Sequence, residues 1–496
     1  MKKFVVCMTL ILLLSTPSIF NGKMAETENE NEVFYISSEK IERIEGNIEN
    51  ATFKILQPRC SAPAIIEKGG IFTIVFEKCS FTQIFAKIST AYEPVVDEIY
   101  LEIEEFYEDE EIYLSARVPE NTPVELYNLT VIVENNGYFA KTEPRAVSVV
   151  DKIDGNFTFI HLTDFHIGDI RGFKENIRET IGWKAAKKCI EEINLIHPDF
   201  VIITGDLVFG QLYPFEYLIE YRSLYRILQQ FDVPTYLCPG NHDGYVQCGE
   251  DGFEFWQEYF GPLYYSFDYG STHWIMANSY DWSKPSRFGI SYIVFNWGGY
   301  IGREQLKWIE NDLEKNEEKI KFIALHHNPL WETKNDSLLK NEYEGRKELL
   351  SMIERYGVKA VFDGHVHYDN VTIKNGTLYI TTTTASSSLS KEDAYWGYRL
   401  IEARNNSIFS YNYREPEYSI PSYMLNYTFE NEYRMRVENN LDMNISAYIV
   451  FTVPSGEYEI KNGEIFMERE GNGIKQIYVI SEIERKTEKE IYLLLL

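Results

Sequence analysis

The hydrophobic pattern divides the chain into regions of different type. Over residues 33–150, short alternating apolar segments separated by Gly, Pro, Asn and Asp predict strands, among them Ile71–Phe76, Glu98–Ile103, Glu111–Val118 and Val124–Val133. Short strands at this spacing are typical of a small β-sandwich of immunoglobulin or fibronectin type. The polar segment 151–156 follows, so we predict a domain boundary near Asp151.

Strands and helices alternate over the next region, residues 151–405. The apolar runs predict strands at Phe157–Leu162, Asp199–Thr204, Pro234–Cys238, Thr272–Ser279, Lys319–Leu325, Ala360–Phe362 and Tyr398–Glu402. Helical periodicity predicts helices at Phe173–Ile196, Glu216–Phe231, Gly302–Glu317 and Gly345–Tyr356. This alternation predicts a layered α/β domain, whose ligands bind at the carboxyl ends of strands.

The two ends of the chain differ from the middle. Residues 411–496 return to a β pattern, with strands expected at Tyr433–Glu438, Ser446–Val453, Glu457–Lys461 and Gln476–Ser481, and predict a second small β-sandwich. Residues 1–25 read as a secretory signal: a basic start precedes the apolar run Phe4–Leu14, which is too short for an ordinary membrane span. We therefore expect a secreted or cell-surface protein, with a retained N-terminal anchor as the alternative.

Charge and composition narrow the class of partner. The formal net charge of -28 argues against a nucleic-acid surface, because phosphate backbones need Lys and Arg to neutralise them. An acidic protein that handles phosphate must concentrate positive charge locally, and bound metal ions do so. Export predicts a glycoprotein with disulfides joining Cys60 to Cys79 and Cys238 to Cys248. Nine Asn-x-Ser/Thr sequons would be the glycan acceptors, at Asn50, Asn128, Asn156, Asn335, Asn370, Asn375, Asn405, Asn426 and Asn444.

Residues suited to metal binding follow five of the predicted strands. The segments are Asp164-x-His166, Gly205-Asp206, Gly240-Asn241-His242-Asp243, His326-His327 and Gly364-His365-x-His367. Mixed oxygen and nitrogen ligands of this kind suit Mn, Fe, Zn, Co or Ni. One carboxylate has two oxygens, so it can bridge two cations that together hold a hydroxide and clamp a phosphoryl group. The glycines beside the ligands allow close approach of backbone segments.

These five segments resemble the motifs of the calcineurin-like metallophosphoesterase family, over roughly Phe157 to Glu402. The resemblance implies a four-layer αββα sandwich with a dinuclear centre of two divalent metal ions. It implies that metal one is held by Asp164, His166, Asp206 and His367, and metal two by Asp206, Asn241, His326 and His365, with His327 as the alternative to His326. His242 would donate a proton to the leaving oxygen or clamp the phosphate, oriented by Asp243.

The expected function is therefore an exported, metal-dependent hydrolase of phosphate mono- or diesters, with a metal-bridging hydroxide as nucleophile. Nucleotides, pyrophosphate bonds or phospholipid head groups are alternative substrates, and a non-catalytic cell-surface binding protein is the alternative of another class. The N-terminal segment or the β domains would mediate any association with the cell envelope. Phe209 stands where the similar purple acid phosphatases carry a ligating Tyr, so we expect a colourless enzyme.

Two further sets of residues have an expected structural role. His161, His197 and His273 match none of the five segments and are expected to be structural. An aromatic group is expected to belong to the core, with a stacking surface for substrate as the alternative; it comprises Phe253, Trp256, Tyr259, Phe260, Tyr264 and Tyr265.

Overall fold

The structure is a computed structural model of the full chain. It describes residues 38–92, 94–169, 181–210, 214–247, 249–293, 298–331, 343–385, 397–411, 420–421 and 424–496. The described residues form two compact units: one contains the residues up to Ala91 with Asp97–Ile153 and Tyr265–Phe267, and the other contains Tyr92–Val96, Asp154–Tyr264 and Asp268–Leu496. No helix among these residues is long and apolar enough to cross a membrane.

The N-terminal unit is mostly β-structure. Its elements are α1 Ser38–Glu45, β1 Ile48–Asn50, β2 Ile55–Gln57, β3 Ala64–Glu67, β4 Ile71–Glu77, β5 Gln83–Thr90, β6 Glu98–Tyr100, β7 Glu102–Glu108, β8 Glu111–Arg117, β9 Glu125–Glu134 and β10 Tyr138–Val150. One sheet has the order β1-β10-β9-β5-β6, and the other has the order β2-β4-β8-β7. Inward-facing residues of both sheets, such as Ile74, Leu114 and Leu129, belong to one buried hydrophobic cluster. Burying this shared cluster is what stabilises the two sheets.

The middle of the chain alternates strands and helices. Its strands are β11 Phe157–Leu162, β12 Phe200–Thr204, β13 Thr235–Cys238, β14 Val246–Gln247, β15 Glu250–Asp251, β16 Tyr265–Tyr269, β17 Thr272–Met276, β18 Ile320–Ala324, β19 Ala360–Asp363, β20 Asn370–Lys374, β21 Thr377–Thr381, β22 Gly397–Arg404 and β23 Ser407–Ser410. Its helices are α2 Ile181–Ile196, α3 Glu216–Leu228, α4 Gly252–Tyr259, α5 Lys284–Ile293, α6 Arg303–Lys315 and α7 Arg346–Arg355.

Two sheets organise this region. In the first, β11, β12 and β13 run parallel, and β22 pairs antiparallel with β11. In the second, β17, β18, β19 and β21 run parallel, and β20 forms an antiparallel edge. Their strands are nearly continuous apolar runs, as strands buried on both faces require. The region is therefore a mixed α/β fold built on two largely parallel sheets.

Aromatic side chains pack the two sheets together. The ring of Phe159 on β11 lies 5.0 Å from the ring of Trp274 on β17 and 5.4 Å from that of Phe362 on β19, both edge-on. Phe200 on β12 approaches Trp274 in the same way, at 5.4 Å. Edge-to-face contacts of this kind add to the large apolar area that aromatic residues bury. They pack the first sheet against the second.

The C-terminal residues form further antiparallel strands. They are β24 Ile420–Pro421, β25 Leu425–Asn431, β26 Arg434–Asn439, β27 Ile445–Pro454, β28 Tyr458–Lys461, β29 Glu464–Gly471, β30 Ile474–Ile483 and β31 Thr487–Leu495. One sheet has the order β25-β26-β31-β28, and the other has the order β27-β30-β29. Burial alternates along β27, so one face of its sheet is apolar and covered.

Several sequence predictions need correction. The strand predicted at Glu98–Ile103 is two strands, because the chain leaves one sheet at Leu101 and enters the other. The helix predicted from Phe173 is described only from Ile181, and its earlier residues lie outside the described part. The sulfurs of Cys60 and Cys79 are not bonded to each other, so that predicted disulfide is wrong. Cys248 lies outside the described residues.

Candidate metal centre

Five loops bring the candidate residues to one place. The loops after β11, β12 and β13 carry Asp164 and His166, Asp206, and Asn241 and His242, respectively. The loops after β18 and β19 carry His326 and His327, and His365 and His367. Parallel strands end on the same edge of a sheet, so each set of loops is grouped by the sheet it follows. Contacts among the side chains join the two sets.

Backbone hydrogen bonds tie neighbouring loops to each other. Within the first sheet's loops, the N–H of Asp164 donates to the carbonyl of Gly205 at 3.0 Å, and the N–H of His166 donates to that of Asp206 at 3.0 Å. Within the second sheet's loops, the N–H of Gly364 donates to the carbonyl of His326 at 3.1 Å. The ligand-bearing segments are therefore extensions of the sheets rather than free loops.

A first cluster surrounds the Asp164 carboxylate. Asp164 Oδ1 lies 3.1 Å from His367 Nε2 and 3.4 Å from His166 Nε2, and these two nitrogens are 3.2 Å apart. Asp164 Oδ2 faces away and accepts hydrogen bonds from the Thr163 hydroxyl at 2.7 Å and the His365 N–H at 3.0 Å. Asp164 and His166 are buried, whereas the His367 side chain is 20% exposed. One carboxylate oxygen and two imidazole nitrogens thus converge on one point.

Asp206 lies between this cluster and a second one. Its Oδ1 accepts the backbone N–H of His242 at 2.8 Å, so the position of this oxygen is fixed by the main chain. Its Oδ2 lies 3.1 Å from His326 Nε2, 3.8 Å from His166 Nε2 and 3.9 Å from His242 Nε2. A single carboxylate oxygen therefore faces imidazoles carried by both sheets.

The second cluster contains His326, His365 and Asn241. His326 Nε2 lies 3.2 Å from His365 Nδ1, while its Nδ1 donates to the carbonyl of Thr204 at 2.7 Å. That bond directs Nε2 of His326 toward Asp206. The Asn241 amide nitrogen donates to the Tyr245 hydroxyl at 2.6 Å. Asn241 Oδ1 is buried and has no hydrogen-bond partner among the described residues.

The adjacent residues His326 and His327 lie in different surroundings. His327 Nδ1 lies 2.8 Å from the Ser279 hydroxyl, and its ring centre lies 4.4 Å from that of His365. The ligand atoms of His326, His327 and His365 fall within 4.8 Å of one another, so His327 remains near the cluster. Only His326 also groups with Asp164 and Asp206. The geometry favours His326 as the ligand that meets Asp206.

The predicted contact between the side chains of His242 and Asp243 is not formed; each side chain hydrogen-bonds to other groups. His242 Nδ1 donates to the carbonyl of Phe209 at 2.8 Å, which leaves Nε2 facing the cluster. The Asp243 carboxylate instead accepts the backbone N–H groups of Leu207, Val208 and Gly240 at 2.9, 3.1 and 2.8 Å. The predicted orientation of His242 by Asp243 is therefore wrong. Asp243 joins the loop that carries Asp206 to the loop that carries Asn241.

Burial and charge set the protonation of these groups. Burial lowers the pKa of His242 to about 4, although Asp206 opposes this, and burial together with His326 lowers the pKa of His365 to about 3. Burial also opposes protonation of His326, but Asp206 and Asp164 outweigh it and raise its pKa to about 9. For the Asp206 carboxyl, burial is outweighed by His326 and His242, so its pKa lies below the ordinary value. At neutral pH the centre thus contains an ionised Asp206 carboxylate beside a protonated His326, whereas His242 and His365 are neutral.

The backbone at the centre adopts an uncommon conformation. Five candidate residues have left-handed φ values, namely Asp164 at 56°, His166 at 46°, Asp206 at 52°, His365 at 71° and His367 at 57°. A residue with a side chain costs roughly 1–2 kcal/mol in this region. Such strain persists where the surrounding structure over-determines it, and it is typical of functional sites.

Glycines permit the close approach of these loops, as expected. A Cβ on Gly240 would lie 2.2 Å from Asp206 Oδ1, and a Cβ on Gly364 would lie 2.1 Å from the Thr163 hydroxyl. Real Cβ atoms do not approach other atoms so closely, so a side chain at either position would displace a candidate ligand or its support.

The donor atoms fit a metal centre with more than one cation. Three ligand atoms lie within 4.8 Å of one another in each of four groups, and these groups overlap through His166, Asp164, Asp206 and His326. The buried Asn241 oxygen lacks, within the described part of the chain, the hydrogen bond that such an atom normally has. Carboxylate, amide and imidazole ligands suit divalent transition metals rather than Ca²⁺. These residues are suited to hold two neighbouring cations.

The other histidines have partners elsewhere. His161 lies between the hydroxyls of Thr204 and Thr382 at 2.8 and 2.7 Å. His273 lies between the carboxylates of Asp268 and Asp312, 2.8 Å from each. The His197 ring stacks on that of Tyr448 at 3.7 Å. These contacts agree with the structural role expected for all three residues.

The aromatic group between α4 and β16 is mainly core. Phe253, Trp256, Phe260 and Tyr265 are buried. Tyr259 and Tyr264 are half-buried. The core interpretation of this group is confirmed for its four buried members.

Two tyrosines near the centre are not among the residues predicted from the sequence. Tyr245 follows the Gly240–Asp243 segment and contacts Asn241. Tyr280 is fully buried, and its hydroxyl has no hydrogen-bond partner among the described residues. Its ring lies 5.8 Å from that of Tyr245 and 6.3 Å from that of His327. Only the position of Tyr245, four residues after Asn241, could have drawn attention to it.

The chain resembles known proteins. Residues 157–369 match the family model described as calcineurin-like phosphoesterase. A probable glycerophosphodiester phosphodiesterase of Arcobacter nitrofigilis is 29% identical over 207 residues, covering 41% of this chain and 70% of that protein. A serine/threonine-protein phosphatase of Mus musculus is 27% identical over 229 residues, covering 43% and 70%. A crystal structure of a dimetal phosphatase from Danio rerio superposes on 57% of this chain and 96% of its own, with a TM-score of 0.41 and 13% identity.

Proposed function

Residues 157–369 belong to the calcineurin-like phosphoesterase family, and on this premise we propose that the protein is an exported hydrolase of phosphate mono- or diesters that works with two divalent cations. The observation that carries the proposal is the position of Asp206. Its Oδ2 faces His326 at 3.1 Å and His166 at 3.8 Å, which come from different sheets. A carboxylate shared in this way is what a pair of neighbouring cations needs.

The residues that would hold the cations follow from the two clusters. Asp164, His166 and His367 would hold one ion, Asn241, His326 and His365 the other, and Asp206 would bridge both. Mn, Fe, Zn, Co and Ni all suit these ligands. Bound cations supply an ionised water at neutral pH and positive charge against the phosphoryl oxygens. They also give this acidic protein the local positive charge that a phosphate ester requires.

His242 would act on the leaving group or on the phosphate. The Phe209 carbonyl accepts the Nδ1–H of His242, so only Nε2 is directed toward a bound substrate. A proton on Nε2 makes the ring an imidazolium, and a phosphate anion beside it favours that charged form. The Phe209 ring lies 5.3 Å from the His242 ring and offers no phenol as ligand, which supports a colourless enzyme with divalent ions.

The proposal includes the domain architecture. We infer a four-layer αββα domain over residues 151–405, between β-sandwich domains over 33–150 and 411–496.

The proposal also includes export from the cytoplasm. The apolar segment Phe4–Leu14 supports export, with residues 1–25 as the signal. Exposed sequon residues such as Asn375 and Asn444 support glycosylation. Fractionation of the native cells would place the protein outside the cytoplasm; recovery in the cytosol alone would contradict export.

One screen tests the hydrolase proposal and its alternatives together. Chelator-treated protein is supplied with Mn²⁺, Co²⁺, Ni²⁺ or Zn²⁺ and assayed on phosphomonoesters, phosphodiesters, nucleotides, pyrophosphate bonds and phospholipid head groups. We expect turnover with at least one metal and none with chelator. Metal binding without turnover of any substrate would favour the non-catalytic surface-protein alternative.

Substitutions of ligands test the metal centre directly. Asn241→Ala and His365→Ala should abolish activity and reduce bound metal below two equivalents, because each removes a donor atom from the second cluster. Elemental analysis of the dialysed proteins gives the stoichiometry. Full activity in either variant would contradict the proposed ligand set.

A comparison of leaving groups tests His242. The variant His242→Ala should slow alkyl phosphate esters far more than p-nitrophenyl esters, because p-nitrophenolate scarcely needs a proton to depart. An equal loss with both substrates would assign His242 to phosphate binding instead.

A further inference from the structure

Tyr245 contacts a candidate metal ligand through its hydroxyl group. The residue directly follows the short 3₁₀ turn His242–Gly244, in the loop after β13. Its hydroxyl accepts a hydrogen bond from the Asn241 amide nitrogen at 2.6 Å, and its side chain is almost fully buried. The contact therefore joins two side chains that are both removed from bulk water.

The direction of this hydrogen bond decides which end of the Asn241 amide faces the centre. An amide nitrogen carries two N–H donors and has no lone pair to give a cation, whereas the amide oxygen has two. With the nitrogen bound to Tyr245, Asn241 Oδ1 is the free donor atom, and it is buried without a hydrogen-bond partner among the described residues. An atom in this condition is suited to a cation.

Tyr245 is itself held firmly in place. Its backbone carbonyl accepts the N–H of Gly252 at 3.0 Å. Its ring lies edge-on to the rings of His242 at 5.2 Å and Tyr280 at 5.8 Å. The phenol can therefore fix Asn241 because its own position is set by packing that does not depend on the hydroxyl.

We propose that Tyr245 is a positioning residue, whose hydroxyl holds the Asn241 amide so that its oxygen is presented to the second metal ion. This inference rests on the proposed function, because it takes Asn241 as a ligand of that ion. Groups that orient metal ligands in this way are commonly worth 10- to 100-fold in metal affinity.

The variant Tyr245→Phe tests the inference, since it removes the hydroxyl and keeps the ring contacts. Calorimetric titration of chelator-treated protein with Mn²⁺ should show one site as in the wild type and a second site weakened about 10- to 100-fold. Because Asn241 is still present, saturating Mn²⁺ should restore activity to Tyr245→Phe but not to Asn241→Ala.

A matched control comes from Tyr221 on α3. Its buried hydroxyl donates to the backbone carbonyl of Asp243 at 2.8 Å, in the same 3₁₀ turn. Among the described residues it makes no hydrogen bond to a candidate ligand side chain. Tyr221→Phe should leave both Mn²⁺ affinities unchanged. If it weakened the second site as much as Tyr245→Phe, the effect would be a general loosening of the turn and the inference would be wrong.

The Asn241→Ala variant distinguishes a failure of the inference about Tyr245 from a failure of the proposed ligand set. If Asn241→Ala loses the second ion while Tyr245→Phe binds both ions as the wild type does, the inference about Tyr245 fails alone. If Asn241→Ala also keeps both ions, the proposed ligand set fails and the inference fails with it. Thermal unfolding of each variant confirms that the comparison is made on folded protein.

Discussion

The substitution Gly364→Ala tests whether close packing of the loops holds the centre together. A Cβ at this position would lie 2.1 Å from the Thr163 hydroxyl and 2.6 Å from Asp164 Oδ2. The Thr163 hydroxyl cannot move aside cheaply, because it donates to Asp164 Oδ2 at 2.7 Å and lies 3.0 Å from the carbonyl of Thr204. The backbone of Gly364 is not in the left-handed region, so the effect is one of space alone.

The cost follows from two contributions. Moving the Thr163 hydroxyl breaks a hydrogen bond to a charged acceptor, which is worth roughly 1.5–3 kcal/mol. Forcing a methyl group into packed surroundings costs roughly 1–3 kcal/mol more. We therefore expect the free energy of unfolding to fall by about 4 kcal/mol, a large share of the 5–15 kcal/mol typical of folded proteins. Asp164 should also shift, so metal affinity should fall together with stability.

Urea denaturation of chelator-treated protein measures the loss, and elemental analysis measures bound metal. The control is Gly471→Ala on β29, where the nearest atom to a new Cβ is Val95 Cγ1 at 3.4 Å, an ordinary contact. This control should lose no more than the modest amount expected of a surface change. An unchanged urea midpoint in Gly364→Ala, with two metal ions still bound, would refute the packing argument.

Further predictions concern strain, charge and support. Both His367→Gly and His367→Ala should lose metal, but in chelator-treated protein the glycine variant should be about 1 kcal/mol more stable. The reason is that glycine adopts the left-handed φ of 57° at this position without penalty. Equal urea midpoints would contradict this prediction. Burial lowers the pKa of His273, but hydrogen bonds to Asp268 and Asp312 outweigh burial and leave the pKa raised. His273 should therefore stabilise the fold fully below its unfolded pKa of about 6.5. This stabilisation should be lost as the pH rises through the folded pKa. His273→Gln should flatten that dependence in denaturation curves, and an unaltered slope would exclude His273 as its source. Asp243→Ala should reduce metal binding as well as kcat, because three backbone N–H groups lose their acceptor. Full metal binding would show that these three hydrogen bonds are not needed to hold the ligands in place.

The sequence predicted the structure best where neighbouring residues alone determine it. The runs at β11, β12 and β18 are apolar enough to be buried strands, and the second residue after each strand is a polar residue able to bind metal. A strand and the turn after it are set by neighbouring residues, so both could be recognised without knowing the partners of the strand. Elements with a weaker pattern were missed. The strand β10 contains Lys141, Pro144 and Arg145, and the short helix α4 is almost uniformly aromatic and acidic.

The sequence by itself determined which residues could bind metal, because Asp, Asn and His at strand ends are recognisable one segment at a time. Only the tertiary structure decided how they are used. The loops follow two different sheets. One oxygen of Asp206 accepts the His242 backbone N–H, and the other faces the imidazoles. The carbonyl of Phe209, rather than the carboxylate of Asp243, orients the His242 ring. These choices depend on hydrogen bonds between residues more than thirty positions apart, whose geometry no local pattern encodes.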